Sequence, residues 1–241
     1  MLLVASIGNT NVRLGGFEAG DAPLFIRCAP VASLEALEAP ADPPEALVVG
    51  SVNPQATARM RAWAARRLPC PVLELRAELP APIRFACGDA SRIGADRVAN
   101  AIALHARTGR GGVAVDFGTA ISLVVVSPDG VFRGGAIAPG LAMAARALHA
   151  DTALLPLVDA AATPPALSCH TETAIAAGLL WGLGGLVDRL IERLSEPWPD
   201  APALATGGDA ATLVPHCRRV STMAPHLTLE GLRQAYLLRP L

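Results

Sequence analysis

Two stretches of this chain share one construction, and that repetition constrains its fold more than any other feature. Near the start, Leu2-Leu3-Val4-Ala5 runs into Ser6-Ile7-Gly8-Asn9-Thr10-Asn11 and then Val12-Arg13-Leu14-Gly15-Gly16. Mid-chain, Val113-Ala114-Val115 runs into Asp116-Phe117-Gly118-Thr119-Ala120 and then Ile121-Ser122-Leu123-Val124-Val125-Val126. Each reads as a buried strand that meets a polar residue, turns at glycine among small hydroxyl or amide side chains, and returns as a second strand. Glycine lets backbone N–H groups approach an anion closely, and Asn, Thr and Ser add donors around it. A carboxylate at the strand end suits the cation that accompanies phosphate. Both segments therefore read as phosphate loops. Superposing them sets Ser6 opposite Asp116, so the first copy lacks the acid that the second carries.

Around each loop the pattern continues as strands and helices. A third strand is expected at 24–28, a short buried strand at 47–52, a helix opened by Pro54 and running to about Leu68, and a strand at 72–75. Ser91 reads as the N-cap of a helix reaching Arg107. Pro128-Asp129-Gly130 reads as a hairpin turn into a strand at 131–137, and Pro139-Gly140 precedes a helix through Leu148. Residues 151–170 are loop-rich, 171–194 a long helix, 204–206 a strand ending at Gly207-Gly208, and 229–238 a last helix. Such a plan used twice implies α/β halves related by duplication, residues 1–107 and 108–241, with ligand in the cleft between them.

Composition narrows the function classes. The 241 residues are 52% apolar with few aromatics, which suits helices packed on sheets through small side chains. A net charge of −1 gives no electrostatic case for nucleic acid or an anionic membrane. The five cysteines form no Cys-x-x-Cys pair, so reduced thiols are expected rather than disulfides or a metal centre. The longest apolar run, Ala174 to Val187, falls short of the roughly 18 residues of a spanning helix and reads as a buried helix. No signal-peptide pattern opens the chain, and a soluble cytoplasmic protein is expected. The histidines show no ligand spacing, and Gly182-Leu183-Gly184-Gly185 lies inside a helical pattern rather than after a strand.

Taken together, these segments resemble the type III pantothenate kinases of the acetate kinase, sugar kinase and actin superfamily. Ile7-Gly8-Asn9-Thr10-Asn11 is similar to the end of the family's D-x-G-N-T loop, Gly94-Ala95-Asp96-Arg97 to its G-A-D-R segment, and Asp116-Phe117-Gly118-Thr119-Ala120 to its D-x-G-T-A segment. Gly134 to Gly140 follows G-G-x-I-x-P-G, Thr171 to Gly178 follows T-x-x-A-I-x-x-G, and Thr206-Gly207-Gly208 resembles the late T-G-G of the adenosine side. Each motif alone is common; in register along the whole chain they are specific. The resemblance implies an actin-like ATPase fold of two ribonuclease H-like lobes. It also implies ATP-dependent phosphorylation of pantothenate to 4′-phosphopantothenate, the first step toward coenzyme A.

The same resemblance assigns roles, each beside a plainer structural reading. Asp96 is the base for the substrate hydroxyl, or an ordinary first-turn acid favoured by the helix dipole. Gly94, Ala95, Asp96 and Arg97 line the pantothenate pocket; Arg97 serves equally as an ion-pair partner. Asp116 holds a monovalent cation, potassium or ammonium, or is satisfied by N–H groups of its turn. Ser6, Ile7, Gly8, Asn9, Thr10, Asn11, Val12 and Arg13 form the first ATP loop, although Arg13 on an alternating strand also reads as solvent-facing. Thr119 donates to an ATP phosphate or to its own turn. Gly207 and Gly208 admit adenosine or close a strand-to-helix turn. Thr171 binds pantothenate, caps its helix, or does both.

ATP enters with Mg²⁺. A homodimer is implied, the pantothenate pocket being completed across the interface near the 171–194 helix; burial of that helix in its own lobe is the alternative. Three positions depart from the family: Ser6 for the first-loop aspartate, Cys87 where a tyrosine often lies at the substrate pocket, and Ser122 for threonine. Ser6 keeps open a catalytically impaired, ligand-binding accessory or regulatory protein. Cys87 keeps open a kinase for another small alcohol.

Overall fold

The computed structural model describes residues 1–20, 22–160, 163–165 and 167–239. The N-terminal apolar run forms β1 (Leu2–Ile7), turns, and returns as antiparallel β2 (Asn11–Phe17), which pairs with β3 (Phe25–Pro30). β4 (Leu47–Ser51) lies parallel to β1 on its other side. Helix α1 (Pro54–Arg67) starts where expected, because Pro54 takes the first turn and the Asn53 side chain accepts the Ala56 amide at 3.1 Å. β5 (Val72–Glu74) then adds parallel to β4, giving the order β3-β2-β1-β4-β5.

After the short β6 (Arg84–Phe85) and helix α2 (Ala95–Thr108), the plan repeats. β7 (Gly112–Phe117), β8 (Ala120–Val126) and β9 (Val131–Pro139) are followed by helices α3 (Leu141–Ala150) and α4 (Thr171–Leu194). β10 (Ala203–Thr206), the single-turn α5 (Ala210–Leu213), β11 (Thr222–Met223) and α6 (Leu227–Leu237) complete the chain. The strands order as β9-β8-β7-β10-β11, with β6 pairing to the start of β9. The first sheet matches it in order, and the antiparallel β1–β2 and parallel β1–β4 and β4–β5 pairs match β7–β8, β7–β10 and β10–β11 in sense.

The chain forms two compact units. The first holds Met1–Gly109, Gly130–Phe132 and the segment from His226; the second holds Arg110–Asp129 and Arg133–Pro225. The sequence-based division gave everything after residue 107 to one lobe, whereas α6 packs with the first unit. Its Leu229, Leu232 and Ala235 share a core with Leu2 and Val4 of β1 and with Val98, Ala99 and Ile102 of α2. The approach is close: a Cβ on Gly231 would lie 1.8 Å from the Ala99 carbonyl oxygen. The opposite face of the same sheet packs Leu3, Ala5, Ile7 and Val49 against Met60, Trp63 and Ala64 of α1. The period-2 alternation of a strand buried on both faces explains why β1 reads as a continuous apolar run.

In the second unit, Val113, Val115, Phe117 and Leu123 pack against Leu179, Leu180, Leu183 and Val187 of α4. At 24 residues α4 is long and apolar enough to cross a bilayer by length and composition, but its apolar stripe packs in this core.

Ser91 is not a cap. Helix α2 begins at Ala95 with Gly94 as its N-cap, and the Ser91 amide instead donates to Asp89 Oδ1 at 2.8 Å in a turn ahead of it. Nor does Thr171 cap α4, whose N-cap is His170. β6, β11 and α5 went unanticipated because elements of two to four residues carry no period. The loop expected at 151–170 has neither helix nor strand where described; residues 161, 162 and 166 lie outside the described residues.

Candidate active site

In the first unit the carboxyl ends of the parallel strands β1 and β4 lie side by side, Ser6 beside Gly50 and Ile7 beside Ser51. Open α/β sheets bind ligands at such strand ends, where loop amides are not committed to the ladder. The Gly8 amide closes the first loop onto the Asn11 carbonyl at 3.0 Å, leaving Asn9, Thr10 and Asn11 exposed. Val12 returns to the core, and half-buried Arg13 stands opposite Ser6 across the hairpin. The Val52 amide donates to the Ile7 carbonyl at 3.1 Å, tying the β4–α1 loop to this rim.

Asp96 sits in the first turn of α2, and its Oδ1 accepts the Arg97 amide at 2.7 Å. The carboxylate folds back over Gly94: a Cβ there would lie 2.5 Å from Asp96 Oδ1 and 3.2 Å from Val52 Cγ1. The Gly94-Ala95-Asp96-Arg97 turn thus adjoins the loop that borders the first phosphate loop, and the α2 N-terminus favours the ionised carboxylate. Cys87 is exposed on the irregular stretch ahead of this turn.

In the second unit Asp116, at the equivalent place on β7, lies beside Ser122 on β8 and Thr206 on β10. Gly207 follows with φ +101°, the left-handed region that glycine tolerates. A Cβ on it would lie 2.4 Å from the Phe117 carbonyl oxygen and 2.6 Å from Asp116 Oδ1. The Asp209 amide donates to that same carbonyl at 2.9 Å, and burial pushes the Asp209 carboxyl above its ordinary range. Gly208 between them is exposed. The Gly140 amide donates to the Thr119 carbonyl at 3.2 Å, and no side chain caps α3 there. The Gly118-Thr119 turn is thereby tied to the start of α3.

Thr171 lines a cavity of about 1040 Å³ between α3 and α4 with Met143, Leu148, Cys169, His170 and Ile175. The structure thus gathers Ser6 to Arg13 with Gly94 to Arg97 in one unit, and Asp116, Thr119, Gly207 and Gly208 in the other. Ser51, Gly140 and Asp209 join these groups without having been anticipated. The duplication was the signal: Ser51 takes beside β1 the place that Gly207 takes beside β7.

The donor chemistry fits a nucleotide with its cations. Among the described residues no three His, Cys, Asp or Glu side chains gather into a metal centre. The backbone of Gly207 thus lies close against Asp116 Oδ1 and the Phe117 carbonyl, a contact only a residue without a Cβ permits.

Residues 2–193 match the sequence pattern of the family described as type III pantothenate kinase. The chain belongs to that family. The type III pantothenate kinase of Rubrobacter xylanophilus is 33% identical, covering 99% of this chain and 98% of its own. That of Thermomicrobium roseum is 36% identical over 98% and 96%. Among solved structures, a Baf family protein from Campylobacter jejuni superposes with a TM-score of 0.67 at 18% identity, covering 98% of this chain and 97% of its own. The activator of 2-hydroxyisocaproyl-CoA dehydratase from Clostridium difficile, with bound ADPNP, gives 0.54 at 12% identity, covering 98% and 94%. These likenesses bear on fold alone, and the fold is the actin-like ATPase class that the family resemblance implies.

Proposed function

We propose that the protein transfers the γ-phosphoryl group of ATP to the primary hydroxyl of pantothenate, giving 4′-phosphopantothenate and ADP. The observation that carries this reading is the Asp96 turn, held against the loop that borders the first phosphate loop. With Oδ1 engaged by the Arg97 amide, Oδ2 accepts the hydroxyl proton. The substrate oxygen forms the new P–O bond as the bond to the β,γ-bridging oxygen breaks. In a loose phosphoryl-transfer transition state the base chiefly orients the nucleophile, so positioning outweighs basicity.

The amides and side chains of Ser6, Ile7, Gly8, Asn9, Thr10, Asn11, Val12 and Arg13 bind phosphate. Thr119 adds a hydroxyl donor, and Gly207 and Gly208 let adenosine approach the backbone. Asp116 holds the monovalent cation, potassium or ammonium. Bound cations neutralise the phosphate charge that would otherwise repel the attacking oxygen. Gly94, Ala95, Arg97, Cys87 and Thr171 contact pantothenate.

The apolar wall around Thr171, where Met143 is 38% exposed, supports a homodimer in which a second copy covers that wall. A monomeric mass by light scattering would remove this part of the reading. A cytoplasmic location accords with five unpaired cysteines. The activity is tested by coupled ADP release with and without pantothenate, in potassium and in sodium. Turnover that needs both pantothenate and potassium is expected; turnover indifferent to pantothenate would overturn the substrate assignment.

A further inference from the structure

Among the described residues Arg76 is the only non-glycine in the left-handed region, with φ 74°. Side chains with a Cβ adopt that conformation only when surroundings impose it. The turn after β5 imposes it here. The amides of Ala77, Glu78 and Leu79 converge on the Glu74 carbonyl at 3.1, 3.1 and 3.0 Å, and the Arg76 amide donates to the Leu79 carbonyl at 2.6 Å. The base of this turn is fixed to the sheet, since the Leu75 amide donates to the Val49 carbonyl of β4 at 2.8 Å.

From that strained backbone the half-buried Arg76 side chain crosses to a second turn. Nη1 donates to the Ile93 carbonyl and Nη2 to the Ala90 carbonyl. The Ile93 amide closes the same turn onto Ala90 at 3.1 Å, so the guanidinium grips both ends of it. Asp89, held below its ordinary range first by the Ser91 hydroxyl and amide and also by the Arg76 charge, flanks the grip. Ile93 immediately precedes Gly94, the N-cap of α2, which no side chain caps. Residues 87–94 lie in no helix or strand, so little else in the local backbone fixes where α2 starts.

We propose that Arg76 is a positioning residue. By holding the Ala90 and Ile93 carbonyls from a turn fixed to β4, it sets the start of α2 and hence where Asp96 meets the substrate hydroxyl. This rests on the reading of Asp96 as the base. A planar fork suits the task, because two carbonyls are held at once in fixed relative geometry.

The test compares Arg76→Gly, Arg76→Ala and Arg76→Lys in the full chain. Readouts are thermal melting, hydrogen–deuterium exchange across 87–98, and kinetic constants for both substrates. Glycine removes the grip while relieving the backbone, so Arg76→Gly should melt at or above Arg76→Ala. Both should exchange faster across 87–98 and lose about tenfold or more in kcat/KM for pantothenate, with the KM for ATP unchanged. Arg76→Lys, able to hold one carbonyl, should fall between them and the unmutated protein; if the other two do not fold, it is judged by the same criteria. Unchanged exchange in folded Arg76→Gly would overturn the proposal, as would faster exchange with pantothenate kinetics intact. In that event Asp96→Asn separates the causes: if it is impaired, only the role of Arg76 falls; if it too is active, the reading of Asp96 falls as well.

Discussion

The two hairpins, β1–β2 and β7–β8, have the same strand neighbours in the same senses yet use their polar groups differently. In the first, Ser6 lies beside Gly50, and Ser51 folds onto its own turn, its hydroxyl accepting the Asn53 amide at 3.0 Å. Asn53 in turn caps α1. In the second, Asp116 lies beside Thr206, Gly207 takes the left-handed conformation, and Asp209 at the start of α5 makes no side-chain cap. In the first half the side chains at the β4 end thus bond within their own turn, while Asn9, Thr10 and Asn11 of the hairpin loop stay exposed. The second keeps carboxylates at its strand ends, with the Gly207 backbone packed close against Asp116 and the Phe117 carbonyl. Duplicated topology therefore does not imply duplicated chemistry: side chains at equivalent strand ends settle what each loop can hold.

The largest expected effect lies off both hairpins, on α2. Asp96→Asn should cut turnover about 10²–10⁴-fold while ATP binding and the melting temperature stay unchanged. Steady-state kinetics with a nucleotide-binding titration checks this, and near-normal turnover would return catalysis to the loops. Next, Asp116→Asn should raise the potassium concentration for half-maximal rate by at least about tenfold, as expected for loss of a metal-site carboxylate. An unaltered potassium dependence would erase the difference between the hairpins.

Stability separates the equivalent positions Gly207 and Ser51. Gly207→Ala should cost about 1–3 kcal/mol, because a Cβ there meets the Phe117 carbonyl in a strained conformation. Ser51→Ala should lose only the hydrogen bonds of its own turn, about 0.5–1.5 kcal/mol. Urea unfolding of both variants tests the ranking. Ser6→Asp should lower the magnesium concentration for half-maximal rate a few-fold without altering the KM for pantothenate; no change would put Ser6 outside the reach of the metal.

The smallest effect concerns Asp209. Because burial raises its carboxyl above the ordinary value of 3.8, the ionised form disfavours the folded state. That cost is present above the folded-state pKa and vanishes below the unfolded one. Asp209→Asn should therefore melt slightly higher at pH 7 and equally at pH 3, which calorimetry at the two pH values resolves.

Much of this was legible in the sequence. Apolar runs ending at glycine and small polar residues gave the hairpins, since strand period and turn chemistry are local properties. Asn53-Pro54 marked the start of α1 for the same reason. Ser91 misled because an isolated serine fits a cap and a turn equally well; the choice fell to Asp89 and to the Arg76 grip, neither of which is a neighbour that helix periodicity reveals.

The sequence by itself determined the repeated hairpins, the helices with strong period, the family, and the identity of Asp96 and Asp116 as candidate groups. The hairpins and helices follow from residues close together in the chain, and the family with its candidate groups follows from short motifs in register along it. Tertiary structure alone decided that α6 packs on the first unit, that Gly207 lies close against Asp116 and Phe117, and that Arg76 reaches the turn before Asp96. Those contacts join residues far apart in sequence, and distant pairings are selected by packing and hydrogen-bond geometry, which local propensity does not encode.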